Sequence, residues 1–195
     1  DLEFVDFGGG IGVPYKPDEQ RLPLQEFGKE VSELFENFCK EYGRKLTLTI
    51  EPGRYLVAES GALLCTVNTI KKNVKHTFIG VNTGFNHLVR PTMYGSYHDI
   101  LKVGEVNAQK KEKIALAGNI CESGDLFTRD ESGIADRELP SLAEDDVLAI
   151  MTAGAYGYAM ASFYNSRPRP PEILVNKTKS RVIRETDKLD YVIQS

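Results

Sequence analysis

Apolar residues in the first part of the chain follow the spacing of a strand, a helix and a second strand. Residues 2–7 form a short apolar run that stops at a triple glycine. From Leu24 to Tyr42 apolar positions recur every three or four residues, as on one helical face, and Gly43 follows at the position of a C-terminal cap. Residues 46–50 are β-rich and alternating. A β-α-β unit of this length makes its strands parallel, so their carboxyl ends share one edge.

The pattern changes beyond a short helical stretch near residues 55–62. Short β-rich segments follow at 63–70, 76–82, 101–107, 113–120, 146–153, 172–176 and 181–184. They predict a mostly antiparallel β domain, either a barrel or a sandwich. The charged cluster 109–113 is predicted to be an exposed hairpin tip, and the acidic stretch 128–144 a long exposed loop.

Composition and charge exclude several classes of protein. The 195 residues carry 24 basic and 28 acidic side chains, a net charge of −4 that gives no overall reason to bind nucleic acid or an anionic membrane. No apolar run approaches the roughly 20 residues of a membrane-spanning helix. Three cysteines without a CxxC pair predict a reduced, cytoplasmic protein with no disulfide framework and no metal site. Because the chain starts at Asp1 inside an apolar run, we expect a fragment of a longer protein.

Two glycine-containing motifs follow the two predicted parallel strands. Gly8-Gly9-Gly10 could present successive N–H groups to a phosphate, or could simply form a tight turn. Glu51-Pro52-Gly53-Arg54 places a carboxylate and a guanidinium around a glycine, although an ordinary Pro-Gly turn would look the same. Since both motifs are predicted at one sheet edge, together they favour a site for a phosphorylated cofactor.

Three further motifs lie in the β-rich part of the chain. Arg90, in the run RPTMYG, could pair with a carboxylate or lie on the surface. Cys121 and Glu122, in CESGD, place a thiol beside carboxylates, but a free cysteine is often only a small buried side chain. Tyr156, in GAYGY, could face a ligand or pack in the core.

Taken in order, GGG, EPGR, RPxxYG, CESGD and GAYGY resemble the C-terminal half of the fold-type-III pyridoxal-phosphate decarboxylases. Within that family the chain is most similar to the members that act on diaminopimelate. The resemblance implies an α/β plus all-β architecture: residues 1–62 as the last part of an alanine-racemase-like (β/α)8 barrel, then a β-barrel or sandwich domain over 63–195. It implies a carboxy-lyase of lysine biosynthesis with pyridoxal 5′-phosphate as cofactor. No lysine here matches the Schiff-base lysine, so we expect the chain alone to be inactive.

The resemblance also implies a role for each motif residue. The residues that would bind the cofactor are Gly9, Gly10, Glu51, Gly53, Arg54 and Tyr156. Glu51 would face the pyridine nitrogen of the cofactor. Cys121 would be the catalytic proton donor. The residues that would bind the amino-acid substrate are Arg54, Arg90, Tyr94, Glu122 and Tyr156. Arg54, Arg90 and Tyr94 would hold its distal carboxylate and Glu122 its distal ammonium group. Tyr156 would contact both the substrate and the cofactor. Family sites form in homodimers, which implies that Cys121 and Glu122 act on the partner subunit's substrate.

Two alternatives remain open at this point. The first is a related decarboxylase for ornithine or carboxynorspermidine. Arg90 and Glu122 argue against it, because a buried arginine facing a substrate without a distal carboxylate would be unpaired. The second is a non-catalytic relative that regulates a partner, which would lack the Schiff-base lysine in its upstream half.

Overall fold

A computed structural model describes residues 1–108 and 110–194 of the chain. The helices in these ranges are α1 (Leu24–Tyr42), α2 (Gly53–Val57), α3 (Arg90–Tyr94) and α4 (Leu189–Gln194). The strands are β1 (Phe4–Asp6), β2 (Thr47–Thr49), β3 (Leu63–Lys72), β4 (Thr77–Val81), β5 (Ile100–Lys102), β6 (Lys111–Ala117), β7 (Arg129–Asp130), β8 (Gly133–Ile134), β9 (Arg137–Pro140), β10 (Val147–Ile150), β11 (Glu172–Asn176) and β12 (Lys179–Arg184). Within the described ranges no helix is both long and apolar enough to cross a membrane.

The first region contains the predicted parallel pair. Strands β1 and β2 pair in parallel, with Val5 opposite Leu48, and α1 connects them. Gly43 ends α1 in the left-handed conformation, with φ of 84°, and its N–H donates to the carbonyls of Cys39 and Lys40. Both strands therefore end at one edge, as the periodicity predicted.

The larger core lies under a six-stranded sheet. Its strand order is β5-β10-β3-β4-β6-β9, and every pairing is antiparallel except the parallel pair β4–β6. Apolar side chains from most of these strands are packed beneath it, among them Val67, Val81, Leu116, Leu148 and Ile150. The two end strands, β5 and β9, contact each other. The sheet is therefore nearly closed, which supports the predicted β domain without deciding between a barrel and a sandwich.

Two sequence predictions in this region are wrong. Residues 128–144 are not one long loop, because β7, β8 and β9 lie within them and Leu139 is buried in the core. The cluster 109–113 is not a hairpin tip: Gln109 lies outside the described residues, and 111–113 begin β6, where Glu112 is opposite Leu139. Both segments are polar because one face of each strand is exposed to solvent and carries charged side chains, while the other face packs on the core.

A second, smaller core joins the two regions. It contains Val13, Ala58 and Ala155, with Tyr15 and Tyr55 packed against it. The apolar residues of β1 and α1 are more exposed: Phe4, for example, is 57% exposed. The division into domains at residues 62 and 63 stays a prediction, since the small core includes residues from both sides of it.

Candidate functional site

The two glycine motifs meet at the carboxyl edge of the parallel pair. The Glu51 N–H donates to the Gly8 carbonyl at 2.7 Å, and the Arg54 guanidinium donates to the Gly10 carbonyl at 3.4 Å. A Cβ on Gly9 would lie 2.5 Å from the Glu51 carbonyl oxygen, so the two loops can approach this closely only with glycine there. The structure thus brings Gly9, Gly10, Glu51 and Arg54 together, with Gly53 in the same loop.

The glycine edge has free donors on its exposed side. No described residue accepts a hydrogen bond from the backbone N–H of Gly9 or of Gly10. Both glycines line an open cavity of about 690 Å³, which continues along the loop from Ile11 to Pro23. Left-handed φ angles at Gly8 (68°) and Gly10 (87°) turn the backbone there. Free N–H groups in such a turn are suited to an anion such as a phosphate.

A buried guanidinium lies next to this edge. Arg90, at the start of α3, is only 8% exposed, and no acidic side chain in the described ranges forms an ion pair with it. Its guanidinium carbon lies 4.7 Å from the ring centre of Tyr15 and 5.7 Å from that of Tyr156. A buried cation without a carboxylate partner is costly, so this position is suited to an anionic group.

His98 holds the Arg90 guanidinium from the other side. Its Nδ1 donates to the Met151 carbonyl at 2.9 Å, which leaves Nε2 to accept from Arg90 Nη1 at 3.4 Å. Burial lowers the His98 pKa from 6.5 to about 4. The hydrogen bond to Met151 opposes this shift, and the charges of Arg90 and Arg137 add to it. The imidazole is therefore neutral near pH 7 and acts as an acceptor for Arg90.

The GAYGY loop is held by close backbone packing. The Gly154 N–H donates to the Ala58 carbonyl at 2.9 Å, and a Cβ on Gly154 would lie 2.9 Å from the Gly61 nitrogen. Tyr156 follows with φ of 65°, a left-handed conformation that is uncommon for a tyrosine and that tends to cluster at functional sites. Its side chain is 42% exposed beside Arg90, where it can contact a ligand.

The CESGD motif forms a tight turn in which the thiol is accessible. Cys121 is exposed, and its backbone N–H donates to Asn165 Oδ1 at 3.0 Å. Asp125 is buried and anchors the turn, because its carboxylate accepts N–H groups from Phe85 at 2.7 Å and Ile120 at 2.8 Å. Burial raises the Asp125 pKa, and these two hydrogen bonds oppose the shift. Asp125 therefore has a structural role, while Cys121 and Glu122 are presented to the outside.

Helix α3 separates this turn from the arginine cluster, which comprises Arg54, Arg90, Tyr15, His98 and Tyr156. Thr92 Oγ1 donates to the Gly124 carbonyl at 3.0 Å, so the CESGD turn packs against the face of α3 that carries Thr92. Positions two apart on a helix point about 200° apart, and positions four apart about 40°. Arg90 and Tyr94 therefore share one face, opposite the turn. Among the described residues, no hydrogen bond or ion pair joins Cys121 or Glu122 to the arginine cluster.

Sequence reasoning missed two residues of the site, Tyr15 and His98. Both act through contacts with Arg90 that only the folded chain creates. The aromatic Tyr15, set between two prolines just beyond the triple glycine, was a weak local signal for a residue at the same edge. His98, near the RPTMYG motif, gave only a weak signal, since a solitary histidine is more often structural than catalytic. The other cysteines are not part of the site: burial raises the pKa of the Cys65 thiol to about 12.

The fold and this geometry define a class: an α/β unit with a glycine-lined edge that presents free N–H groups, joined to a β region that contributes a buried arginine. Two family profiles match the chain. "Pyridoxal-dependent decarboxylase, C-terminal sheet domain" covers residues 30–154, and "Pyridoxal-dependent decarboxylase, pyridoxal binding domain" covers residues 1–58. The chain belongs to the pyridoxal-dependent decarboxylase family.

Two curated relatives show more specifically what the chain is similar to. Diaminopimelate decarboxylase of Methanothermobacter thermautotrophicus is 50% identical over 195 residues, which are 100% of this chain and 44% of the relative. The Escherichia coli K12 diaminopimelate decarboxylase is 37% identical over 198 residues, 99% of this chain and 47% of the relative. The chain thus spans less than half the length of these relatives.

Solved structures agree with the sequence relatives. A crystal structure of diaminopimelate decarboxylase matches with a TM-score of 0.92 at 37% identity, over 100% of this chain and 47% of the other. The Helicobacter pylori diaminopimelate decarboxylase complexed with L-lysine matches with a TM-score of 0.84 at 36% identity, over 100% and 44%. A lysine/ornithine decarboxylase from Vibrio vulnificus, at 22% identity and a TM-score of 0.69, shares the fold.

Proposed function

We propose that this chain is the C-terminal part of a pyridoxal-phosphate enzyme that decarboxylates meso-2,6-diaminopimelate to L-lysine. The observation that carries this proposal is the buried, unpaired guanidinium of Arg90 beside the glycine edge. A decarboxylase whose substrate retains a second carboxylate needs such a cation, whereas one acting on a simple diamine precursor does not. The 50% identity to a diaminopimelate decarboxylase supports the same substrate.

The glycine edge fits the cofactor. The free N–H groups of Gly9 and Gly10 would bind its phosphate, and the Gly53 loop would support them from the adjacent strand end. The carboxylate of Glu51, which forms no ion pair with a described residue, would face the ring nitrogen and hold a proton on it. When bound, pyridoxal phosphate supplies the electron sink for decarboxylation. Arg54 is tied to the glycine edge through the Gly10 carbonyl, and Tyr156 lies beside Arg90.

The arginine cluster would bind the far end of the substrate. Arg90 faces a carboxylate with its position fixed by His98, and Tyr94 lies on the same face of α3. Arg54, tied to the Gly10 carbonyl, adds a second cation on the cofactor side. Bidentate pairing with a carboxylate is the interaction that guanidinium groups make best, so a substrate lacking that group loses most of its orientation.

Cys121 and Glu122 would serve the partner's site in a homodimer. Both are exposed, and α3 keeps their turn on the face opposite Arg90. The Cys121 thiol would deliver a proton to the carbon that has lost carbon dioxide, and Glu122 would bind the distal ammonium group. A two-fold dimer brings the turn of one subunit to the arginine cluster of the other.

A complementation experiment tests the shared site. Cys121→Ala and Arg54→Ala variants of the full-length enzyme are each expected to be nearly inactive. After subunit exchange, a heterodimer has one site with both side chains intact, so about a quarter of the wild-type activity should return. Absence of any recovery, with exchange confirmed by mass spectrometry, would contradict action in trans.

The substrate is tested by direct comparison. The full-length protein with pyridoxal phosphate is offered meso-diaminopimelate, ornithine and carboxynorspermidine, and carbon dioxide release and lysine formation are measured. We expect turnover of diaminopimelate to be strongly preferred. Arg90→Ala should reduce that preference by weakening diaminopimelate binding more than ornithine binding. Equal effects on both substrates would refute the assignment of Arg90 to the distal carboxylate.

A further inference from the structure

Tyr15 carries a polar group that the proposed mechanism has not used. Its hydroxyl oxygen is buried, and no described residue accepts a hydrogen bond from it. Buried polar atoms in folded proteins are almost always hydrogen-bonded, so an isolated hydroxyl beside a ligand site requires an explanation. The same cluster contains a second atom of this kind, Nε of Arg54. Two unsatisfied donors in one cluster, which Arg54 ties to the cavity-lining Gly10, indicate a ligand with acceptor atoms.

The Tyr15 ring is held firmly in this position. The Arg90 guanidinium lies over one face, 4.7 Å from the ring centre, and the His98 ring meets it edge-on at 5.2 Å. The backbone is fixed as well, because Glu19 accepts the N–H groups of Tyr15 at 2.7 Å and Lys16 at 3.2 Å. A side chain held on three sides presents its hydroxyl in a defined direction at little entropic cost.

The charges around Tyr15 specify what it can bind. The charged groups that act on its hydroxyl are the guanidiniums of Arg90 and Arg54. Burial, helped by the nearby Tyr156, raises the Tyr15 pKa, and the charges of Arg90 and Arg54 with an interaction between the Arg90 guanidinium and the hydroxyl oxygen only partly oppose this effect. The hydroxyl thus stays protonated and available as a donor. Two cations and one neutral donor suit a carboxylate, whose oxygens accept several hydrogen bonds.

We propose that Tyr15 is a further substrate-binding residue, whose hydroxyl donates a hydrogen bond to the distal carboxylate of the amino-acid ligand held by Arg54 and Arg90. Its ring also positions Arg90 through the cation–π contact. The inference rests on the proposed function, since it concerns that substrate's second carboxylate. Tyr15 would then determine specificity: it strengthens binding of ligands that carry the carboxylate and contributes nothing to those that lack it.

Equilibrium binding to the full-length holoenzyme tests this proposal without turnover. L-Lysine and cadaverine differ only in the carboxylate, and isothermal titration calorimetry gives the affinity of each. Tyr15→Phe removes only the hydroxyl, so lysine affinity should fall about tenfold or more, as for other hydrogen bonds to a charged group, while cadaverine affinity stays within about twofold. Tyr15→Leu also removes the ring beneath Arg90, and lysine affinity should fall further.

Tyr55→Phe is the matched control. Tyr55 packs against the same small core, but it forms no stacking contact with Arg90. That substitution should leave both affinities unchanged. Unchanged lysine affinity in Tyr15→Phe, or an equal loss for lysine and cadaverine, would overturn the role of Tyr15. The proposed function would still stand in that case if the wild type decarboxylates diaminopimelate. A wild-type holoenzyme that neither binds lysine nor decarboxylates diaminopimelate would overturn both.

Discussion

Gly154→Ala should displace the loop that carries Tyr156 and destabilise the protein. The added Cβ would lie 2.9 Å from the Gly61 nitrogen and 3.0 Å from Ser60 Oγ, and closer still to the Val57 carbonyl oxygen. Ordinary contacts begin near 3.4 Å, and two of these three neighbours are backbone atoms that cannot rotate away. The loop must therefore move.

The cost of that movement has two parts. Overpacking of this kind typically costs about 1–3 kcal/mol, and loss of the Gly154–Ala58 hydrogen bond adds about 1 kcal/mol. A total of about 2–4 kcal/mol should lower the urea midpoint of unfolding by about 1–2 M, for a slope of about 2 kcal/mol per molar. Displacement of Tyr156 should also weaken ligand binding.

Gly28→Ala separates the steric effect from the general effect of replacing glycine. Gly28 lies within α1, where an added Cβ meets nothing within 4 Å. Alanine is the better helix former by about 1 kcal/mol, so this variant should be slightly more stable than the wild type. Urea unfolding of both variants, followed by far-ultraviolet circular dichroism, decides the matter. The steric reasoning is refuted if Gly154→Ala unfolds at the wild-type midpoint or moves in the same direction as Gly28→Ala.

Three further predictions concern individual side chains. Arg90→Met should raise the free energy of unfolding by about 1–3 kcal/mol, since it removes an unpaired buried charge. It should also lower lysine affinity at least tenfold, as measured by calorimetry. A lower stability of this variant in urea unfolding would contradict the prediction. Because the folded-state pKa of His98 is about 4 against an ordinary 6.5, the unfolded chain binds the proton more readily, so stability is lost as the pH falls from about 6.5 towards 4. The free energy of unfolding should fall by about 3 kcal/mol over this range because of His98. In His98→Gln this part of the pH dependence should be missing. Asn165→Gly accommodates the left-handed backbone at φ of 57° but removes the acceptor for the Cys121 N–H, so it should cost about 1 kcal/mol of stability. Asn165→Ala adds backbone strain and should cost about twice as much. Equal losses for the two variants in urea unfolding would argue against that strain.

Local periodicity was sufficient to predict the parallel unit and the position of its glycine motifs. The apolar positions of α1 and the cap at Gly43 set the crossover, and parallel strands then place Gly9 beside Glu51. The prediction depended only on short-range pattern and on a handedness rule that applies to nearly all such units. The roles assigned to these residues came from the family resemblance, and they stay proposals here.

Long-range pairing was beyond the reach of the same reasoning. The parallel pair β4–β6 joins segments separated by about 30 residues, and no local pattern specifies such a partner. Strands β7 and β8 have two residues each, too short for alternation to be recognised. Tyr15 and His98 likewise belong to the site only because tertiary packing places them against Arg90, which is a property of the folded chain and not of any motif.

The short helix α3 has a mechanical consequence in the proposed dimer. One face carries Arg90, the cation proposed to recognise the substrate, and the opposite face supports, through Thr92 and Gly124, the turn that would be offered to the neighbouring subunit. Any small rotation of this helix that follows ligand binding would also move the Cys121 thiol, which is proposed to act in the second active site. Communication between the two halves of the dimer therefore requires no separate relay, because a single turn and a half of backbone is common to both.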